Sequence, residues 1–215
     1  MLIRYRGHSE FVLQAGRVTL VTDPFDAHVG YRMEDVAADA VLVSHGHGDH
    51  AFTEKVKGDP AVITGPGSFC PAPGVKVTGI RGCHDDQGGA LRGENTVYVI
   101  EWEGLRLLHL GDQGCALTEE QKKSIGRVDI LFVPVGGFFT MDGALAARTR
   151  EALGARVTVP MHYKTRVNAS WPISDESLFL ERAGAENAPR VPLLRVTEQD
   201  ISELPPVVVM TPECL

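Results

Sequence analysis

The sequence predicts an α/β (α+β) fold in which two packed sheets carry helices on their outer faces. Two observations lead there. The first half is a series of short strand-like runs separated by turn residues, and the second half interleaves helix signals with further strands. Gly (23) and Pro (13) are frequent, as a chain of many turns and short strands requires. At 215 residues, one domain over 1–215 with a sizeable core is expected.

In chain order, Leu2–Arg6, Phe11–Gln14 and Val18–Thr22 read as a meander, with Ala15-Gly16 as one turn. The apolar run Ala40–Val43 reads as a strand leading into a cluster of histidines, and Ala61–Thr64 and Val75–Ile80 as further strands. Thr96–Trp102 and Leu105–Leu110 flank Glu103-Gly104, a hairpin signal. Ile130–Val133 is closed by Pro134 and Arg156–Val159 by Pro160. One helix is expected over Thr118–Ile125, where Thr118 and Gln121 can form a capping box. A second is expected over Asp142–Leu153, capped by Thr140 and ended by Gly154. A third covers Asp175–Ala183 after Ser174. The tail, about 185–215, holds five prolines and strand-like pieces at Val191–Val196 and Val207–Met210. A final hairpin or an oligomer contact would both fit it.

Composition narrows the function. The formal net charge is −7 and no Lys/Arg cluster stands out, which disfavours a nucleic-acid partner. The start, MLIRYRGHSE, has no apolar leader region, and no apolar run approaches a membrane span, so a cytoplasmic protein is expected. Cys70, Cys83, Cys115 and Cys214 show no CxxC pairing and read as free thiols.

The informative segment is His45-Gly46-His47-Gly48-Asp49-His50, directly after Val41-Leu42-Val43-Ser44. Extended backbone places His45 and His47, two residues apart, on one side. Glycines between them allow a tight bend, and Asp49 and His50 then face a second position. Imidazole with carboxylate suits Zn²⁺, Mn²⁺ or Fe²⁺. One loop cannot complete two coordination spheres. Three other strand ends offer donors: His84 after Val75–Ile80, Asp112 after Leu105–Leu110, and His162 in Pro160-Met161-His162-Tyr163.

These residues resemble the metallo-β-lactamase superfamily. The HGHGDH segment matches its HxHxDH motif, and His84, Gly111-Asp112 and Pro160–Thr165 follow in the family's order. Within the superfamily the chain looks most like the compact hydrolases related to L-ascorbate-6-phosphate lactonase, on Gly7-His8-Ser9, Thr22–Phe25 and Phe138–Met141. The likeness spans roughly residues 3–165 and implies a four-layer αββα sandwich. It implies His45, His47 and His84 on one metal, Asp49, His50 and His162 on a second, and Asp112 bridging both. Flavo-diiron relatives usually place Glu where His47 stands, and the chain is too short for the extra domain of the mRNA-processing nucleases.

The implied reaction is hydrolysis of a small ester, lactone or phosphoester, with a small molecule, neutral or anionic, as partner, and a homo-oligomer is compatible with it. Two divalent ions, Zn in the first place and Mn or Fe otherwise, would share a hydroxide that Asp49 orients and Asp112 helps hold. Asp23 is expected either to fix an imidazole or to form a turn before Pro24, and His8 either to face the site or to be structural. His109 reads as core or as support for the site, and His28 as a loop residue. Substrate contacts are expected from Arg92, Thr140, Tyr163 and Lys164, with Phe138 and Phe139 either walling the pocket or in the core. Cys83 and Cys115 flank His84 and Asp112 closely enough in sequence to meet near the metals. Two other classes stay open: a metal-dependent nuclease or phosphodiesterase, and a mononuclear iron dioxygenase of the persulfide type.

Overall fold

The computed structural model describes residues 1–215, and its strands are short because turns recur every few residues. The first half runs β1 (Leu2–Gly7), β2 (Glu10–Ala15), β3 (Val18–Thr22), β4 (Val36–Ala37), β5 (Ala40–Val43), α1 (Gly48–Ala51), β6 (Val56–Lys57), β7 (Ala61–Thr64), β8 (Gly67–Ala72) and β9 (Val75–Cys83). The second half runs β10 (Glu94–Trp102), β11 (Leu105–His109), α2 (Glu119–Ile125), β12 (Ile130–Pro134), α3 (Gly143–Leu153), β13 (Val157–Met161), α4 (Ser177–Arg182), β14 (Arg190–Val191), β15 (Leu194–Arg195) and β16 (Val209–Met210). One sheet has the order β15-β1-β2-β3-β5-β7 and the other β13-β12-β11-β10-β9-β8. Each is mixed: the meanders pair antiparallel, while β3-β5-β7 and β11-β12-β13 pair parallel.

The period-2 alternation of each strand assigns its two faces. On β10, Tyr98, Ile100 and Trp102 enter the core between the sheets, while Val97 and Val99 face outward. The between-sheet core joins Tyr5, Phe11, Leu20 and Leu42 to Tyr98, Ile100, Phe132 and Val159. Phe11 and Phe132 meet across it with ring centroids 4.3 Å apart. Burying such a side chain contributes about 1.5–3 kcal/mol. On the far side of the second sheet, Val97, Val99, Leu131 and Val133 pack on residues of α2, α3 and α4. The first sheet carries no long helix outside. Val12, Val21, Val41 and Val43 are covered by Ala38, Ala51 and the short β4–β6 pair. The expected outer helices are therefore reduced to one turn on that side.

Most element boundaries follow the turn chemistry. Thr118 and Gln121 complete their capping box on α2 at 2.7 and 3.1 Å. The cap of α3 is Asp142, whose carboxylate accepts from Leu145 N at 2.7 Å. Thr140, expected in that role, turns its hydroxyl to Met141 O instead. The tail is not a terminal hairpin. Its β14 and β16 pair parallel, β15 adds to the free edge of β1, and Thr158 of β13 bonds to Pro206 and Val208. The tail thus covers one edge of each sheet, where unpaired backbone groups would otherwise be exposed. No helix of the chain is long and apolar enough to cross a membrane.

Candidate metal centre

The loops leaving β5, β9, β11 and β13, with the β1–β2 turn, converge at one end of the two sheets. Nitrogen and oxygen donors there form three overlapping groups: His45, His47 and His84; His8, Asp49, His50 and His162; and His45, His50 and Asp112. Within each group the donor atoms lie within 4.8 Å of one another. The structure therefore brings together all seven residues expected as ligands, and adds His8.

Two members of the first group, His45 and His84, are held from behind, which fixes their tautomers. Asp23 accepts from Ser44 N at 2.7 Å and from Ser44 Oγ at 2.8 Å. Ser44 Oγ then has a lone pair for the His45 Nδ1 proton, 3.0 Å away. This leaves His45 Nε2 as a bare lone pair, buried and without a hydrogen-bond partner. His84 Nδ1 is 3.1 Å from Phe139 O, which likewise assigns its proton and frees Nε2 toward Asp112, 3.5 Å away. Burial and the neighbouring His50 push His45 down to about 3, so its ring is neutral.

The second group is deeper. His8, His50 and His162 are all buried, and Asp49 is the half-buried member. His50 Nδ1 is 3.0 Å from Asp23 Oδ2, and its Nε2 is 3.2 Å from Asp112 Oδ1 and 3.1 Å from His8 Nε2. His8 Nε2 is 3.2 Å from Asp49 Oδ2, and His162 Nε2 is 3.3 Å from Asp112 Oδ2. Burial alone would lower the His50 pKa, but Asp112 and Asp23 overcome it and hold His50 well above the usual imidazole range. Burial would raise Asp112 and Asp49. His162 and His50 instead hold Asp112 well below the usual carboxylate range, and His8 with His50 hold Asp49 below it. Burial and the facing His162 push His8 down to about 4.

Backbone strain concentrates here. His8, Asp23 and His162 all have left-handed φ, at 55°, 39° and 52°. Such conformations cost about 1–3 kcal/mol each and persist only where the surroundings dictate them. His162 N donates to His8 O at 2.8 Å and Tyr5 Oη donates to the same carbonyl at 2.8 Å, so the two sheets are joined through the strained pair. One glycine is required by close approach: a Cβ on Gly111, at φ 54°, would collide with Asn95 and Ser44. On Gly48 a Cβ would meet only the tip of the Asp26 side chain, Oδ2 at 2.6 Å, which can turn away. Gly46, by contrast, borders open space.

Behind Asp112, its backbone N–H donates to Asn95 Oδ1 at 3.0 Å, and Asn95 Nδ2 donates to Leu110 O and Gln113 Oε1. His109 accepts from Gly111 N at Nδ1, and its Nε2 donates to Ser9 O at 3.0 Å. It therefore supports the turn to Asp112 and does not face the donors. Gly114 N donates to Cys83 O at 2.8 Å, which brings Cys115 beside Cys83. Burial and the Cys83 thiol push the Cys115 thiol up to about 12, and all four cysteines are free.

Above the donors lies a cavity of about 510 Å³. His47, Asp49, His84, Asp112 and His162 form its floor, and His28, Arg92, Phe139 and Trp171 line its mouth with Ser170 and Pro172. Of the expected substrate contacts, only Arg92 lines it. Tyr163 is buried in the helix-side core with its hydroxyl toward Met210 O, because the strained His162 turns the next side chain away. Lys164 is absent from the cavity wall, and Thr140 lines an adjacent hollow. His28 and Trp171 were not marked by any periodicity or motif spacing. Their one signal is an aromatic or imidazole ring on a turn-rich loop, which says nothing of direction.

Imidazole and carboxylate donors with bare, mutually facing lone pairs fit divalent metal ions. The orphaned His45 Nε2 is an independent sign, since buried polar atoms are rarely left without a partner. The family described as the beta-lactamase superfamily domain matches residues 2–162, a span that holds every donor named above. A UPF0173 metal-dependent hydrolase of Alkaliphilus metalliredigens is 32% identical over 196 residues, 77% of this chain and 86% of that one. One from Thermococcus onnurineus is 29% identical over 79% and 85% of the two chains. A crystal structure from Thermotoga maritima, described as a candidate Zn-dependent hydrolase of the metallo-beta-lactamase superfamily, has a TM-score of 0.78 and 36% identity over 97% of both chains. An isothiocyanate hydrolase from Delia radicum gut bacteria, 16% identical with a TM-score of 0.66 over 99% and 97%, shares the fold.

Proposed function

The chain belongs to the metallo-β-lactamase superfamily, among the UPF0173 metal-dependent hydrolases, and from that premise we propose that it hydrolyses a small ester, lactone or phosphoester at a two-metal centre. One observation carries the reading: Asp112 stands between two donor groups, 3.5 Å from His84 of the first and 3.2 and 3.3 Å from His50 and His162 of the second, and both groups reach the cavity floor. His45, His47 and His84 would hold the first ion, Asp49, His50, His162 and His8 the second, and Asp112 both. Two such ions would lower the pKa of a shared water toward ~7 and polarise the scissile oxygen.

The chain's own residues do the rest. Asp23 orients His50 directly and His45 through Ser44, so both imidazoles present a fixed nitrogen. The carbonyl of Phe139 does the same for His84. Asp49 lies at the cavity floor with Oδ2 toward His8, and its other oxygen can accept a hydrogen bond that orients the attacking water. Zn is the metal favoured by the name of the Thermotoga maritima relative and by the nitrogen-rich first group, with Mn or Fe the other ions of matching chemistry.

The test is metal analysis of protein purified without added metal, joined to an activity screen over lactones, phosphodiesters and thioesters with Zn²⁺, Mn²⁺ and Fe²⁺ in turn. Two ions per chain with turnover of one substrate class is the expected result. A single iron with oxygen consumption would replace the hydrolytic reading with that of a dioxygenase.

A further inference from the structure

The cavity mouth is built differently from its floor. Arg92 makes no ion pair, although Asp85 and Asp86 are near it in sequence. The Asp85 carboxylate is already used: it accepts four backbone N–H groups, from Gln87, Gly89, Leu91 and Arg92, at 2.8–2.9 Å. That clasp folds the 85–92 loop so that Arg92 is directed over the cavity. Asp86 is exposed, beside the adjacent hollow. The Arg92 guanidinium lies 5.7 Å from the Phe139 ring centroid and 5.9 Å from that of Phe138. Phe138 is 61% exposed and has φ 59°, a conformation that a bulky residue rarely adopts. Opposite, Trp171 is half-buried and meets Phe139 edge-on at 5.9 Å and His28 at 5.7 Å.

We propose that this mouth is a subsite for an anionic group joined to a flat apolar group, with Arg92 receiving a carboxylate or phosphate and Trp171 and Phe139 receiving the ring or planar portion. The inference deepens the hydrolytic reading and rests on it in calling the ligand a substrate. Three features carry it. The only acids on the cavity wall, Asp49 and Asp112, belong to the donor groups, so Arg92 is the free charge of the lining. Guanidinium offers a planar fork to carboxylate or phosphate, and a neighbouring ring face leaves that fork free. The aromatic rings supply apolar area with defined edges, and the volume suits a small molecule rather than a polymer.

Trp171 also provides the measurement. The other tryptophan, Trp102, is buried in the between-sheet core, so quenching on ligand addition reports on Trp171. The protein with its resident metal is titrated with phenylphosphonate and phenylacetate as aryl anions without a hydrolysable bond, benzyl alcohol as a neutral aryl, and methylphosphonate and acetate as anions without a ring. At least one aryl anion is expected to bind about tenfold tighter than benzyl alcohol and than its ring-free counterpart, and Arg92→Ala to lose about tenfold for that probe while leaving benzyl alcohol unchanged. The better of phenylphosphonate and phenylacetate identifies the anion. Unchanged affinity in Arg92→Ala overturns the anion contact, since the metals alone would then account for the preference. Equal binding of the aryl and ring-free anions overturns the aromatic contact. Both readouts are of binding without turnover, so an inactive protein that passes them would sink the hydrolytic reading and leave the subsite standing.

Discussion

The floor and the mouth of one cavity are made by opposite means. Every floor donor follows a strand or lies in a turn tied to both sheets, and at His45, His50 and His84 a buried neighbour dictates the proton or lone pair. The mouth is carried by four loop segments, at His28, Arg92, Phe139 and Ser170–Pro172, whose side chains touch rings and solvent. Rigid support belongs where bond geometry decides whether a metal binds, and looser support suffices where a substrate is selected. Substitutions at the floor should therefore change metal content, and those at the mouth should change substrate affinity alone.

The sharpest break of that contrast is Asp112→Ala. Asp112 faces His50, His84 and His162, so its loss opens both donor groups. Metal content is expected to fall from two ions to one or none, with hydrolysis reduced on the order of 10²–10³-fold or more. A variant that kept both ions and its rate would show that Asp112 does not join the two positions.

His8→Ala is next. The sequence left His8 between a site-facing and a structural role, and the structure gives it the same depth and nitrogen geometry as His50 and His162. We expect second-ion affinity to drop about 10–100-fold, comparable with or beyond loss of an outer-shell partner, while the first ion stays. Metal titration of the purified variant decides it. Full occupancy with a slowed reaction would return His8 to a supporting role.

That residue also marks the limit of legibility. His45, His47, Asp49 and His50 were readable because ligand spacing within one segment survives folding. His84, Asp112 and His162 were readable because each follows a strand run that the period-2 pattern reveals. His8 belongs to a turn whose direction depends on a left-handed φ of 55° and on a hydrogen bond to a residue 154 positions away, and local sequence encodes neither. Trp171 and His28 were lost because they lie on loops, where no periodicity tells which way a side chain points. Tyr163 and Lys164 misled because adjacency to a ligand was equated with proximity, although side chains of neighbouring residues diverge. The tail was readable as strands but not as cover for two sheet edges, since pairing partners lie far away in sequence.

A pH experiment sharpens the contrast further. Without metal, His50 holds its proton above the usual imidazole range because Asp112 and Asp23 flank it. An ion at the second position must displace that proton, so affinity should rise about tenfold per pH unit until the raised pKa of His50 is passed. The sign follows: a group whose proton is held more tightly opposes the metal more strongly as pH falls. His8 and His45, at about 4 and about 3, are already neutral and release no proton. A flat profile between pH 6 and 8 would mean that His50 lies outside the coordination set.

The smallest effect is expected at the mouth. Asp85→Ala removes an acceptor shared by four backbone N–H groups, and these can turn to water because the loop is at the surface. Burial works against the Asp85 charge, but the four donors outweigh it and hold the carboxyl at about 2, so at neutral pH the clasp is always closed in the native protein. Opening it leaves Arg92 in place along the chain but no longer fixed over the cavity. The expected outcome is a several-fold weaker affinity for an aryl anion, less than the tenfold loss in Arg92→Ala, with metal content and thermal midpoint nearly unchanged. Loss of metal in Asp85→Ala would contradict the division of labour, because it would show that the 85–92 loop braces the adjacent His84. Since Asp85 is the next residue after a floor donor, this variant probes the narrowest boundary between the two regions.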